Sequence, residues 1–319
     1  MADKTASPAA RFLGNNIILL VLIAMIAAMS ILKPNHFPTM ANFGNILRQM
    51  SIIGIIALGT SLTIIAKGID VSSGAMVALS AVVGGSLAGM NSSTPMVVAI
   101  FAGLAIGCAC GLVNGLVTAY GKVPPFIATL AMSLIARGFA QIYTNGKPQG
   151  NFSKSFLFIG GGSVWGVPMP IIIFVFMILI TYVLLHKTKL GSYIYAIGSN
   201  EIAAVTSGIN TRVIILVIYA YAGLTAAMAG ILLASRSSAA LPSYGVSYEM
   251  DAITCAVIGG VSFLGGIGTI KGVVIGICIV GILSNAMTML LIDTNWQTVI
   301  KGAVIVTAVL LDQRRDASR

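Results

Sequence analysis

Residues 186–212 read HKTKLGSYIYAIGSNEIAAVTSGINTR, a polar stretch in a chain that is otherwise mostly apolar. The 319 residues are 57% hydrophobic and only 8% charged, which is far more apolar than a soluble domain of this length requires. We therefore expect an all-α, polytopic transmembrane helix bundle. The 186–212 stretch, by contrast, must face water.

A short helix is predicted inside this polar stretch. Ser199 or Asn200 can cap its N-terminus, Glu201 lies in its first turn, and Gly208 can end it. The sequence therefore predicts a water-facing helix of about two turns between the two caps.

This short helix also has a small, smooth surface, to which Ala203 and Ala204 contribute. Isolated helices need about 12–15 residues to be stable, so a helix this short normally packs against something. The residues alone leave two interpretations open. The helix is either a docking element for a partner or part of an ordinary ordered loop.

Ten apolar runs divide the rest of the chain, several of them near the roughly 20 residues needed to cross a bilayer. The run at 249–264 is short and is flanked by Gly and polar residues, which indicates a broken or partial span. The runs lie at residues 16–32, 49–66, 71–90, 95–119, 126–143, 168–186, 213–235, 249–264, 270–292 and 296–311.

Basic residues favour one orientation of these spans. With a cytoplasmic N-terminus, the outer segments hold only Lys33, Arg48, Lys147, Lys154 and Arg236. The inner segments then hold Lys4, Arg11, Lys67, Lys122, Lys187, Lys189, Arg212, Lys271, Arg314, Arg315 and Arg319. This excess predicts that both termini and the loop at about 187–212 are cytoplasmic, and that the loop at about 144–167 is external. The net charge of +10 is explained by this topology, so no nucleic-acid partner is expected.

Two patterns indicate how the helices are arranged. Gly68-Ile69-Asp70 and the 248–251 segment each precede a small-residue helix and then a Gly-rich span, with Asn114 and Asn285 late in those spans. This weak similarity of the two halves predicts an internal duplication, which is common in transporters. Glycines at every fourth position predict close helix packing along one face. They are Gly103, Gly107, Gly111 and Gly115.

Catalytic and metal-binding patterns are absent from the sequence. Gly121-Lys122 is followed by Val123 and lacks the upstream Gly of a phosphate-binding loop. His36 and His186 lie at the ends of different spans, and the four cysteines lie in apolar runs without zinc spacing. We expect no metal site, no cofactor bound by this chain, and no enzymatic activity.

Polar residues within the apolar runs suggest a mild interior. Asp70 is predicted to cap the helix that begins near Ser72, and Arg137, in mid-span, needs a partner or a water-filled path. Proton- or sodium-driven carriers usually have charged relays at mid-membrane depth. The apparent lack of such a relay favours a neutral polar solute and an energy source located in another protein.

Several segments, taken together, resemble a known family over nearly the whole chain. The chain resembles the membrane permeases of bacterial ABC importers for monosaccharides, in particular the ribose-type permeases. The matching segments are GIDVSSGAMVALSAVV (68–83), PPFIATLAMSLIARG (124–138), IYTNGKP (142–148), LGSYIYAIGSNEIAAVTSGIN (190–210) and YEMDAITCAVIGGVSFLGGIGTIKG (248–272).

The resemblance implies a fold and a set of partners. It implies one permease domain over residues 1–319 with a type II-importer-like fold in the bacterial inner membrane. Partners would be a second permease copy, membrane lipid, a separate ATPase subunit that holds ATP-Mg, and a sugar-binding protein received outside at 144–167 and 236–248.

The resemblance also implies site residues. The surface that couples the permease to its ATPase would comprise Gly198, Asn200, Glu201, Ala203, Ala204, Gly208 and Asn210. The candidate residues of the translocation path are Asp70, Ser72, Asn114, Phe126, Thr129 and Asn285. No chemistry on the sugar is expected.

Other functions stay open at this stage. An ABC permease for nucleosides or branched-chain amino acids would have a similar architecture. A stand-alone secondary carrier or channel would transport without any ATPase and would need no docking helix.

Overall fold

The computed structural model describes residues 17–90 and 94–317. These residues are mostly helical, as predicted, and the basic residues Lys4, Arg11 and Arg319 lie outside them. The helices are α1 (Ile17–Leu32), α2 (Met40–Ile65), α3 (Ser73–Leu87), α4 (Met96–Ala119), α5 (Pro125–Thr144), α6 (Lys154–Gly161), α7 (Met169–Lys187), α8 (Lys189–Ser199), α9 (Glu201–Thr206), α10 (Thr211–Ser237), α11 (Tyr248–Ile258), α12 (Ile270–Met289) and α13 (Thr294–Ala317). Four two-residue strands join them: β1 (Gln149–Gly150), β2 (Ser163–Val164), β3 (Val167–Pro168) and β4 (Ala239–Ala240).

Six of the described helices are long and apolar enough to cross a membrane, namely α2, α4, α5, α7, α10 and α12. The chain is therefore a multi-pass membrane protein. Each of the ten predicted runs coincides with a helix, but two of those helices are short. With 15 residues, α3 is about 22 Å long, and α11, with 11, is about 16 Å long, against a hydrocarbon core of about 30 Å.

The two short helices lie inside the bundle. The α3 helix packs against α4, α5 and α10, whereas α11 packs against α2, α12 and α13. The partial span predicted at 249–264 ends as a helix at Ile258, because Gly259 caps it and Gly260 turns the chain at a φ of +85°. Residues 259–269 then lead to α12.

The face of α4 that carries the four-residue glycine repeat lies against α10. A β-carbon added to Gly115 would lie 2.8 Å from the Leu216 Cα, and one added to Gly107 would lie 2.5 Å from the Gly223 carbonyl oxygen. At Gly111 the added atom would overlap the Tyr219 carbonyl oxygen. The absence of side chains thus lets the backbones of α4 and α10 touch.

On the side predicted to be external, a small antiparallel ribbon joins two distant segments. Gln149 of β1 pairs with Ala240 of β4, and Gly150 pairs with Ala239. This pairing brings together the 144–167 loop and the 236–248 segment, which were predicted to act on the same face.

A hairpin of β2 and β3 projects from the same loop. Its turn residues, Trp165 and Gly166, have φ values of +50° and +80°, the sign that a tight two-residue hairpin turn requires. The Trp165 side chain is 99% exposed. A large aromatic side chain is therefore presented at the tip of the loop.

Candidate functional site

The water-facing helix α9 has the N-terminal cap that the sequence predicts. The Ala203 N–H donates to the Asn200 side-chain oxygen at 3.0 Å, and Glu201 occupies the first turn. Asn200 is thus the cap, and Ser199 instead ends the preceding helix α8. The capping bond fixes the direction in which this six-residue helix leaves α8.

The other end of α9 is closed by a pair of backbone hydrogen bonds around Gly208. The Gly208 N–H donates to the Val205 carbonyl at 3.0 Å, and the Ile209 N–H donates to the Ala204 carbonyl at 3.1 Å. Gly208 has a φ of +82°, which glycine adopts without strain. Asn210 follows at once and caps α10 by accepting from the Val213 N–H at 3.3 Å.

The exposed apolar surface of α9 differs from the predicted one. Ala203 is exposed, but Ala204 is only 3% exposed and faces inward, so the smooth surface predicted from both alanines is wrong for Ala204. The exposed side chains are instead Ile202, at 79%, and Val205, at 54%. Sequence reasoning missed both, although two bulky apolar side chains in a water-facing helix were a usable signal.

Gly198 also lies inside the protein and presents no surface. A β-carbon there would overlap the Ile65 carbonyl oxygen and lie 2.5 Å from the Gly266 nitrogen. The Gly266 N–H itself donates to the Ile65 carbonyl at 2.8 Å. Gly198 therefore allows the end of α8, the end of α2 and the 259–269 segment to meet at one point.

Further bonds strengthen this junction. The Tyr195 hydroxyl of α8 donates to the Gly268 carbonyl at 2.6 Å, and the Lys67 ammonium lies 3.4 Å from the Ser199 carbonyl oxygen. Thus α8 is tied on one side to the segment that follows α11. On the other side it is tied to the segment that precedes α3.

A buried polar network holds the segment between α2 and α3. One carboxylate oxygen of Asp70 accepts from the Ser72 N–H at 2.8 Å and from the Ser72 hydroxyl at 2.5 Å. The Asn114 amide of α4 donates to the same hydroxyl at 2.9 Å. Ser72, and not Asp70, occupies the N-cap position of α3, so the predicted cap is wrong. Asp70 instead fixes Ser72 from two residues upstream.

Thr129 of α5 joins the same segment. Its hydroxyl oxygen accepts from the Val71 N–H at 3.3 Å and lies 3.1 Å from the Ile69 carbonyl oxygen. Asp70, Ser72, Asn114 and Thr129 are all buried. Within one copy of the chain, these four side chains form hydrogen bonds to one another or to the backbone. They do not line an open surface.

The other two candidate path residues lie apart from this network. Asn285 of α12 exchanges two amide hydrogen bonds with Asn42 of α2, at 2.9 and 3.3 Å. Phe126, in the first turn of α5, is 47% exposed. The structure therefore brings together four of the six predicted residues.

The mid-span Arg137 finds the partners that its position requires. Its guanidinium donates to the Pro242 and Tyr244 carbonyls at 2.6 Å each and lies 3.4 Å from the Gly74 carbonyl oxygen. The Glu249 carboxylate lies against Gly74 and interacts electrostatically with Arg137. Arg137 of α5 thus holds the 241–245 segment against the start of α3.

A second charged contact joins α11 and α13. The Lys301 ammonium lies 2.9 Å from both carboxylate oxygens of Asp251. The mild interior predicted from the sequence is therefore wrong at this place. Opposite charges in the runs 249–264 and 296–311 were the available signal.

Known proteins match this chain over most of its length. A family profile described as the permease component of the branched-chain amino acid transport system matches residues 42–309. The chain belongs to this family of permeases. The match covers every helix from α2 to α12, so both short helices and the polar loop are part of the shared architecture.

Individual relatives of the permease are sugar importers by name. The ribose import permease protein RbsC of Escherichia coli strain K12 is 42% identical over 301 residues, which cover 93% of each chain. RbsC of Bacillus subtilis strain 168 is 43% identical over 299 residues, or 93% of this chain and 92% of the relative. The galactose/methyl galactoside import permease protein MglC of Escherichia coli strain K12 is 38% identical over 323 residues, or 96% and 95%. No solved structure shows significant similarity to the chain.

Proposed function

We propose that this permease is the membrane-spanning subunit of an ABC importer and forms the path by which ribose crosses the membrane. The observation that carries the proposal is the 42% identity to a ribose import permease over 93% of both chains. The permease itself binds no cofactor, and ATP-Mg is held by a separate ATPase subunit.

The proposed assembly contains two copies of this permease in the bacterial inner membrane. Each copy crosses the membrane in two similar halves with about ten spans, and the two short helices α3 and α11 take equivalent places in those halves. Both termini and helix α9 face the cytoplasm, as the distribution of Lys and Arg favours. The sugar path lies between the two copies.

Helix α9 docks on the ATPase through Ile202 and Val205. Their exposed apolar side chains fit a groove on a partner better than they fit water. A displacement of α9 reaches both short helices, since α8 contacts the segments next to α3 and α11 through Gly198, Tyr195 and Lys67. ATP-driven motion of α9 would therefore alter both segments together, as alternating access requires.

The external face receives a sugar-loaded binding protein. The β1–β4 ribbon makes one platform of the 144–167 and 236–248 segments, and Trp165 supplies an exposed aromatic anchor of the kind that dominates protein interfaces. Arg137 supports the same platform from below by bonding the carbonyls of Pro242 and Tyr244.

A stand-alone carrier is the less favoured function. Arg137 and Lys301 are two cations within the described apolar helices, and each is engaged with fixed partners in the structure. A branched-chain amino acid permease is favoured only by the description of the matching family. The ribose, galactoside and allose permeases among the relatives favour a sugar.

Competition between substrates distinguishes a sugar permease from a permease for branched-chain amino acids or nucleosides. Proteoliposomes would contain the permease, its ATPase and its binding protein, and uptake of labelled ribose would be measured against excess unlabelled solute. We expect ribose to suppress the signal, and leucine and adenosine to leave it unchanged. Suppression by leucine, or uptake of leucine in place of ribose, would reject the sugar and retain the permease architecture.

A further inference from the structure

A cleft of about 830 Å³ lies beside α9. Its walls come from the end of α2, the turn between α4 and α5, helix α9 and the first turn of α10. Under the proposed orientation all four elements lie at the cytoplasmic surface of the membrane. The cleft therefore opens at the depth of the lipid headgroups.

Three cations line this cleft, and they come from three different elements. They are Lys67 after α2, Lys122 between α4 and α5, and Arg212 at the start of α10. Glu201 is the one carboxylate among the described residues that line it. The cleft thus carries an excess of two positive charges in a confined space, which attracts anions.

Both lysines of the cleft occupy turns with a left-handed backbone. Lys67 has a φ of +62° and Lys122 a φ of +55°. Chain turns at these left-handed positions usually contain Gly or Asn, because a residue with a β-carbon costs about 1–2 kcal/mol there. The sequence instead has a lysine at each turn, and both lysines line the cleft.

The cations retain capacity for a ligand. Lys67 makes one long hydrogen bond, at 3.4 Å to the Ser199 carbonyl, and has two further N–H groups. Arg212 lies over the Tyr120 ring, with its guanidinium carbon 5.6 Å from the ring centre, a contact that uses the charge without forming a conventional hydrogen bond. The buried hydroxyl of Thr118, also on the cleft wall, has no hydrogen-bond partner in the structure.

The cleft is bordered by apolar surface, which favours a lipid over a soluble anion as its ligand. Val123, Ile209 and Ile215 are among the residues that line its walls. On the adjoining turns, α4 exposes Leu116 and α10 exposes Val213. An amphipathic ligand would place a phosphate among the cations and its acyl chains along these exposed helix faces.

We propose that this cleft binds the phosphate of an anionic phospholipid from the cytoplasmic leaflet. A bound lipid would contact the α4–α5 turn through Lys122 and Val123 and the start of α10 through Arg212. It would therefore fill the space between the docking helix and the rest of the bundle. The inference goes beyond the proposed function and is independent of which solute is transported.

Native mass spectrometry of the purified full-length permease tests the proposal, with dioleoyl phosphatidylglycerol as probe and dioleoyl phosphatidylcholine as reference. The test variant combines Lys67→Gln, Lys122→Gln and Arg212→Gln. The control variant combines Lys33→Gln, Lys147→Gln and Lys154→Gln, which removes the same charge from the opposite side.

Each cation near a membrane surface contributes about a five-fold factor in affinity, so we expect phosphatidylglycerol binding about a hundred-fold weaker in the test variant. We expect no change in the control.

Three results would overturn the proposal. Equal phosphatidylglycerol binding by wild type and test variant would mean that the cleft holds no lipid, and so would an equal loss in the control. Displacement of the lipid by glycerol 3-phosphate at matching concentration would mean that the site takes a soluble phosphate ester. If the triple variant fails to fold, Lys122→Gln alone replaces it, with an expected five-fold weakening.

Discussion

Lys301 of α13 forms a two-point ion pair with Asp251 of α11, its ammonium 2.9 Å from each carboxylate oxygen. This pair attaches the last helix to a helix too short to span the membrane. Removal of one partner leaves the other charge without compensation in a mostly apolar bundle. We therefore expect Lys301→Met to lower the free energy of unfolding by about 3 kcal/mol, measured by thermal unfolding in detergent.

A double variant provides the control for the ion pair. Replacing both partners, with Lys301→Met and Asp251→Leu, removes the uncompensated charge and should recover most of the lost stability. A loss of stability in the double variant that equals the sum of the losses in Lys301→Met alone and Asp251→Leu alone would show that the two residues do not act as a pair.

The close contact of α4 with α10 predicts that the loss of stability on substituting a glycine depends strongly on where that glycine lies. Gly111→Ala places a β-carbon onto the Tyr219 carbonyl oxygen, so the two helices must separate. We expect a cost of about 3 kcal/mol, measured as a lower midpoint of thermal unfolding. Gly138 of α5 has open space around its Cα, so Gly138→Ala should be neutral or slightly stabilising. Equal effects at the two positions would contradict the packing account.

The docking role of α9 predicts a coupling defect without loss of fold. Ile202→Glu puts a charge on the exposed apolar surface, and we expect roughly 30-fold weaker binding of the ATPase subunit, as for loss of an interface hot spot. Ile31→Glu is the matched control, because Ile31 is also 79% exposed but lies at the end of α1. Binding would be measured by titration of the labelled ATPase. Similar loss in both variants would point to a general effect on the bundle.

We expect the protein to lose stability even when Arg137 is replaced by another cationic residue. One lysine ammonium cannot replace both guanidinium nitrogens, of which Nη1 bonds the Pro242 and Tyr244 carbonyls and Nη2 lies 3.4 Å from the Gly74 carbonyl oxygen. We expect Arg137→Lys to cost about 1.5–3 kcal/mol and to speed hydrogen exchange in residues 239–248. Arg48→Lys, at an exposed site, serves as control and should change neither. Unchanged exchange in Arg137→Lys would show that the carbonyl bonds do not hold this segment.

Features set by neighbouring residues could be predicted from the sequence. The α9 caps follow from Asn200 and Gly208, whose preferences act over three or four residues. The helices inside the ten apolar runs follow from hydropathy, and the early end of α11 follows from Gly259 and Gly260.

Features that depend on distant contacts could not be predicted. The Lys301–Asp251 pair joins residues 50 positions apart, and hydropathy does not indicate which span lies next to which. Whether Ala204 or Ile202 faces water depends on how α9 rests on the bundle. Asp70 was predicted to cap a helix because Asp is favoured there, but it bonds Ser72, whose hydroxyl accepts a further hydrogen bond from the distant Asn114 amide.

We propose that this permease moves ribose only as part of an ATP-driven assembly. The most direct test is uptake of labelled ribose in proteoliposomes, with the ATPase, the binding protein or ATP omitted in turn. We expect uptake only when all components and ATP are present, and loss of uptake with Ile202→Glu but not with Ile31→Glu. Ribose uptake by the permease alone, at the rate of the complete system, would contradict the account and identify a stand-alone carrier or channel.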